Sequence, residues 1–197
     1  MNSNPLYHAN IDVPVYFDDF EPLSDRFEER RSDLEKINKD FIEWLSTMNL
    51  SIARCMFFTS PPGKVYNIHL DGDPWENIDV AHAKINIIFN SLDSYMSWYR
   101  ARPGFENGVT YNNTRGIPNR YWMKKDCEEL YKVPVNSHCI INGGVMHDLT
   151  NSFHNQGNRR CYSLIIKDLK SNKWLKWNEL VERISPYIVW NTNLPIN

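Results

Sequence analysis

A chain of 197 residues with 42% hydrophobic and 13% aromatic side chains is long and apolar enough for one core, and too apolar for a disordered chain. Lys and Arg number 22 against 24 Asp and Glu, for a net charge of -2. With no basic tail or stripe, a general nucleic-acid binder is disfavoured. The start, Met1-Asn2-Ser3-Asn4-Pro5, lacks the basic and apolar regions of a signal peptide, and no apolar run approaches a membrane span. Cys55, Cys127, Cys139 and Cys161 are scattered without a paired spacing, so they read as reduced structural residues of a cytoplasmic protein.

In chain order, alternation around Ile11 to Phe17 predicts a short strand or arm packed on the body. Ser24 is placed to cap a helix from Asp25. Phe27, Leu34, Ile37, Phe41, Leu45 and Met48 recur at three- and four-residue steps, which extends that amphipathic helix to about Met48. Its role is to cover one face of a sheet, with the phenylalanines and Trp44 in the core. From Ile52 the period becomes two: Ile52 to Thr59, Val65 to Leu70, Ala83 to Phe89 and Tyr95 to Tyr99 read as strands. Arg102 to Arg120 is polar and reads as a lid or long loop. A short helix is expected over Lys124 to Leu130. Strands follow at Val133 to Ile141, Val145 to Leu149 and Cys161 to Lys167, and a short helix at Trp177 to Ile184. One helix followed by about eight short strands predicts a mainly β sandwich or barrel in a single domain spanning 1–197. Its parts are an arm and helix (1–50), a β core (51–167) and a C-terminal helix and tail (168–197).

The chemistry is concentrated in Tyr66-Asn67-Ile68-His69-Leu70-Asp71-Gly72-Asp73. Strand residues two apart share a side, so His69 and Asp71 can grip one object, most naturally a metal ion. His147, after the Gly143-Gly144 turn, is the best third ligand. Two histidines and one carboxylate that leave positions open suit a non-haem Fe(II) oxygenase. Arg159 follows His147 by 12 residues and shares a strand face with Cys161 and Ser163. An arginine there is suited to a two-pronged grip on a ligand carboxylate, with Ser163 as a second donor. Arg160 is its rival, because a one-residue shift exchanges them. Asn67 shares the side of His69, and Asn86 shares a side with Lys84, Ile88 and Asn90; either asparagine is placed to meet a ligand. Tyr66 faces away by parity and is assigned to the core. Tyr95, Trp98 and Tyr99 are likewise better read as core, and Asn142 is close enough before His147 to reach the site. His82, His138 and His154 read as structural or exposed, Asp148 as pointing away, and Asp73 as removed from the metal by Gly72.

The order His-x-Asp, then Lys84-Ile85-Asn86-Ile87-Ile88-Phe89-Asn90, then a late His followed by Arg and a Ser-bearing strand, resembles the Fe(II)/2-oxoglutarate-dependent oxygenase superfamily. With Ile68 to Gly72 it is similar to small microbial and viral members related to aspartyl/asparaginyl and prolyl hydroxylases. The resemblance spans about residues 50 to 167. It implies a double-stranded β-helix (jelly-roll, cupin-like) with an N-terminal covering helix and a short C-terminal helix. It implies Fe(II) on His69, Asp71 and His147, and 2-oxoglutarate chelating the iron and meeting Arg159. The activity implied is hydroxylation of an unactivated C–H of an amino acid, peptidyl side chain or small metabolite by dioxygen, with release of succinate and CO2. An acid at position 71 favours hydroxylation, since halogenating relatives carry a small residue there. Arg102, Arg115 and Arg120 are candidate receivers of an acidic substrate. Two alternatives stay open. One is a cupin-like metalloenzyme without 2-oxoglutarate, in which both arginines turn to solvent. The other is a non-catalytic β-sandwich for binding or assembly, in which the three ligands do not converge.

Overall fold

The computed structural model describes residues 6–71, 83–112, 118–155 and 157–189. Its strands are β1 (His8–Asn10), β2 (Glu28–Arg31), β3 (Leu50–Ser60), β4 (Ile68–His69), β5 (Ala83–Phe89) and β6 (Ser94–Ala101). They continue with β7 (Val109–Asn112), β8 (Pro118–Trp122), β9 (Cys127–Pro134), β10 (Cys139–Asn142), β11 (His147–Asn151) and β12 (Arg159–Asp168). Two helices, α1 (Lys39–Thr47) and α2 (Trp177–Ile184), complete the regular structure apart from short 3-10 turns.

The strands form two six-stranded antiparallel sheets in a jelly-roll: β1-β10-β5-β12-β3-β2 and β7-β8-β4-β11-β6-β9. The first sheet is covered on both sides. On its outer face Ile85, Ile87, Tyr162, Leu164 and Phe57 pack with Phe41, Trp44 and Leu45 of α1 and Leu180, Val181 and Ile184 of α2. On its inner face Ile88, Ile141 and Cys161 meet Met96 and Trp98 of the second sheet. A strand covered on both faces keeps apolar residues at odd and even positions, which is why β5 and β12 read as nearly unbroken apolar runs. The polar exceptions on the inner side, Lys84, Asn86 and Ser163, are therefore placed between the sheets.

The long helix expected from Asp25 is present only as α1, nine residues long. Glu28 to Arg31 instead pair with Thr59 to Met56 of β3, which gives partners to main-chain groups on an otherwise bare sheet edge. Ser24 caps no helix; its Oγ accepts from the Arg26 amide in a local turn. Phe27 is 40% exposed rather than in the core. The expected strand at Ile11 to Phe17 is displaced to β1 with one further bridge at Ile11. Part of the expected loop is the hairpin β7–β8, and Lys124 to Leu130 is a 3-10 turn running into β9 rather than a helix. Among the described residues no helix is long and apolar enough to cross a membrane. All four cysteines are free and buried.

Candidate active site

Antiparallel pairing places His69 of β4 directly opposite His147 of β11. Opposed residues project to one face of the sheet, and the ring centroids are 4.6 Å apart. β4 ends at His69, yet the Asp71 amide donates to the Gly143 carbonyl at 3.0 Å, which carries the chain on beside the Gly143-Gly144 turn. Asp71 then meets both rings: Oδ2 is 3.3 Å from His147 Nε2, and Oδ1 is 3.8 Å from His69 Nε2. One ligand atom from each of His69, Asp71 and His147 lies within 4.8 Å of the others.

The orientation of both rings follows from their other nitrogens. His69 Nδ1 is 2.8 Å from the Asn67 carbonyl, and His147 Nδ1 is 2.8 Å from the Val145 carbonyl. A carbonyl can only accept, so each Nδ1 donates its hydrogen outward and each Nε2 is turned toward the centre. Burial first, and then the neighbouring His147, lowers the pKa of His69 to about 4. Burial pushes the Asp71 carboxyl up, but Lys84, followed by His147 and His69, pulls it well below the usual carboxylate range. Two imidazole Nε2 atoms and a carboxylate are thus gathered around one point. A cation satisfies that arrangement: cis ligands at about 2.1 Å from one ion sit roughly 3.0 Å apart, close to the His147–Asp71 spacing. The residues present therefore fit a divalent metal.

The triad opens on a cavity of about 480 Å³, measured out to its mouth. Arg159, Ser163 and Asn86 line it together with Lys84 and Tyr66. Apolar walls come from Phe58, Met96, Ile141 and Leu149. Arg159 is 2% exposed, and three buried side-chain atoms that face this cavity have no hydrogen-bond partner: Asp71 Oδ2, Asn86 Oδ1 and Arg159 Nε. The metal triad and a buried guanidinium thus line one cavity.

The neighbours of Arg159 in sequence behave otherwise. Arg160 takes the opposite face of β12, where Nε and Nη2 grip Asp19 at 2.7 and 2.6 Å and the guanidinium also donates to the Pro22 carbonyl. It clamps the N-terminal arm and does not line the cavity, so Arg159 alone of the pair faces the triad. The Asn67 side chain is exposed; its contribution is the carbonyl that orients His69. Asn142 is used at the turn, accepting from the Gly144 amide and donating to the Leu6 carbonyl. Asp148 points away and accepts from Tyr99 at 2.9 Å. His138 Nδ1 accepts from the Ile88 amide, and His154 lies in the β11–β12 loop. Asp73, His82 and Arg115 lie outside the described residues.

Tyr66 departs from the core role that parity assigns it. It lines the cavity, because regular strand geometry starts only at Ile68 and alternation does not reach back to Tyr66. Burial raises its pKa to about 12 despite the Ser60 hydrogen bond at 2.5 Å, so the phenol stays neutral. Lys84 is the other residue that sequence reasoning left without a role. Its position on the Asn86 face of β5 was the available signal. Met96 reaches the cavity from β6, whose partner Trp98 packs on His147.

A two-histidine, one-carboxylate triad on a jelly-roll is a candidate metal centre, with the ligand set that non-haem Fe(II) oxygenases use. No protein-family model and no curated protein sequence matches the chain. Among solved structures it is similar to HygX from Streptomyces hygroscopicus with nickel and 2-oxoglutarate bound. That overlap has 10% identity, 74% of this chain, 71% of that chain and a TM-score of 0.42. A Pseudomonas putida prolyl-4-hydroxylase overlaps at 13% identity, 71% of each chain and a TM-score of 0.38. An Acinetobacter sp. DL28 L-ribose isomerase in complex with L-ribose overlaps at 12% identity, 78% of this chain, 66% of that chain and a TM-score of 0.33. Overlaps this loose carry no argument about chemistry.

Proposed function

We propose that the protein is an Fe(II)- and 2-oxoglutarate-dependent dioxygenase that hydroxylates an unactivated C–H of an amino acid, peptidyl side chain or small metabolite. The observation that carries this reading is the pairing of the triad with the buried Arg159 across one cavity, with unpartnered polar atoms at both ends. His69, Asp71 and His147 would hold the iron. Arg159 would take the far carboxylate of 2-oxoglutarate through its fork, with Ser163 as a further donor and Asn86 beside the chelating end. When bound, iron and 2-oxoglutarate supply the oxidising chemistry, consuming dioxygen and releasing succinate and CO2.

The protein's own part is positional. Main-chain carbonyls of Asn67 and Val145 fix the imidazoles with Nε2 inward. Phe58, Met96, Ile141 and Leu149 give the cavity apolar walls, beside which the attraction between Arg159 and a carboxylate is stronger than in bulk water. Four free, buried cysteines suit the reducing cytoplasm. Both arginines in solvent would leave no cosubstrate anchor and favour a cupin-like enzyme without 2-oxoglutarate; each is instead 2% exposed. The non-catalytic alternative needs a triad that does not converge or that binds nothing; the three residues converge, and metal titration decides the second case.

Anaerobic titration with Fe(II) and then 2-oxoglutarate tests the proposal. The wild type is expected to develop the weak visible charge-transfer band of the chelated complex, and His69→Ala to lose both metal binding and the band. A wild type without the band sinks the proposal. A band that persists in His69→Ala shows that the ligand set is wrong.

A further inference from the structure

Lys84 is a buried cation in the cavity wall, 8% exposed, on the inner face of β5. Its Nζ is 2.6 Å from Asp71 Oδ1. The other oxygen, Oδ2, stands 3.3 Å from His147 Nε2 and has no hydrogen-bond partner. One carboxylate therefore presents two unlike oxygens, one capped by an ammonium and one free and facing an imidazole.

We propose that Lys84 is a positioning residue that makes Asp71 a one-oxygen metal ligand. This rests on the reading of His69, Asp71 and His147 as the ligand set. A carboxylate beside a divalent ion binds through one oxygen or chelates through both. Chelation by Asp71 would occupy a fourth position and leave two of six. Capping Oδ1 holds the protein to three positions, which leaves two for a chelating keto acid and one for dioxygen. Neither the Nδ1–H···O=C bonds nor the apolar walls impose that limit, because they act on the rings and on the cavity volume. The capping contact also has a cost in affinity. A fixed positive charge beside the ligand oxygen opposes the metal, and beside apolar walls that opposition is larger than in bulk water.

Co(II) alone, without 2-oxoglutarate, is the probe. Affinity is measured by competition titration, and the ligand set by X-ray absorption together with the visible d–d bands. In wild type and Lys84→Arg, Asp71 is expected to bind through one oxygen. In Lys84→Met the short metal–carbon distance of a chelating carboxylate should appear, and Co(II) should bind about tenfold tighter or more. Lys84→Met with the wild-type ligand set and an affinity within about twofold of wild type overturns the proposal. A chelating carboxylate in wild type overturns it as well, whether or not Lys84→Met folds; Lys84→Gln carries the comparison if it does not. A wild type that binds no Co(II), or a His69→Ala that binds it equally well, removes the metal reading itself and is a separate result.

Discussion

Replacing Arg159 by Met separates a binding role from a folding role. Arg159 is 2% exposed, and its Nε has no partner. A buried polar atom left unpaired costs about 1–3 kcal/mol, and Met fills much of the same volume without it. The ligand-free variant should therefore be at least as stable as wild type. Binding responds in the opposite direction. Two charge-assisted hydrogen bonds to a carboxylate, at about 1.5 kcal/mol each, amount to roughly 3 kcal/mol, or about 100-fold in Kd. With 2-oxoglutarate at about 100 times the wild-type Kd, binding stabilises the wild type by about 2.7 kcal/mol and the variant by only about 0.4 kcal/mol. For a chain of this size about 2–4 °C corresponds to each kcal/mol. Wild type should gain roughly 5–11 °C in Tm and the variant about 1–2 °C. Thermal melts with Mn(II), with and without 2-oxoglutarate and without oxygen, read both effects. A full ligand-induced shift in Arg159→Met would refute the anchor. A ligand-free variant melting about 10 °C low would show that Arg159 is instead a fold-stabilising residue.

Arg160 should show the reverse profile. Asp19→Ala strips the partner from a buried guanidinium and is expected to cost about 3 kcal/mol in urea unfolding, while 2-oxoglutarate binding stays at the wild-type level. Weakened 2-oxoglutarate binding would return Arg160 to the site. A third expectation concerns acid stability. Burial lowers the pKa of His8 to about 4, against about 6.5 in an unfolded chain. Between those values the unfolded state binds more protons, so stability rises with pH: the contribution is fully present above about 6.5 and is lost as pH falls toward 4. From pH 7 to 5 the loss from His8 is about 2 kcal/mol. His8→Phe in metal-free protein should lose about that much less than wild type in urea midpoints at the two pH values. Equal losses would exclude His8 as the cause.

Unbroken apolar runs located β5 and β12 to within two residues and helical spacing located α2, because each is decided by side chains that pack on the apolar layers of the core. Such patterning failed where a distant partner competed. Glu28 to Arg31 carries a helical pattern, yet the open edge of β3 offers main-chain partners that helix propensity does not outweigh. The Arg102 to Arg120 stretch reads as loop because its hairpin is short and polar. Tyr66 was lost to an alternation rule applied beyond the end of a two-residue strand.

The candidate site divides along the same boundary. His69, Asp71, His147, Arg159, Ser163 and Asn86 were legible as residue types at telling positions, since i and i+2 on a strand is a local fact. That His69 and His147 stand opposite each other is a matter of register between strands far apart in the chain, and only their pairing decided it. The choice between Arg159 and Arg160 needed the arm that brings Asp19 to the outer face. Lys84 had only its place on the Asn86 side of β5 as a signal: a lysine on an apolar strand acquires meaning when folding puts its ammonium 2.6 Å from one oxygen of Asp71. The sequence by itself determined which groups can donate electron pairs and which strand faces carry them. The tertiary structure decided which of those groups meet, because meeting depends on long-range contacts that no local pattern encodes.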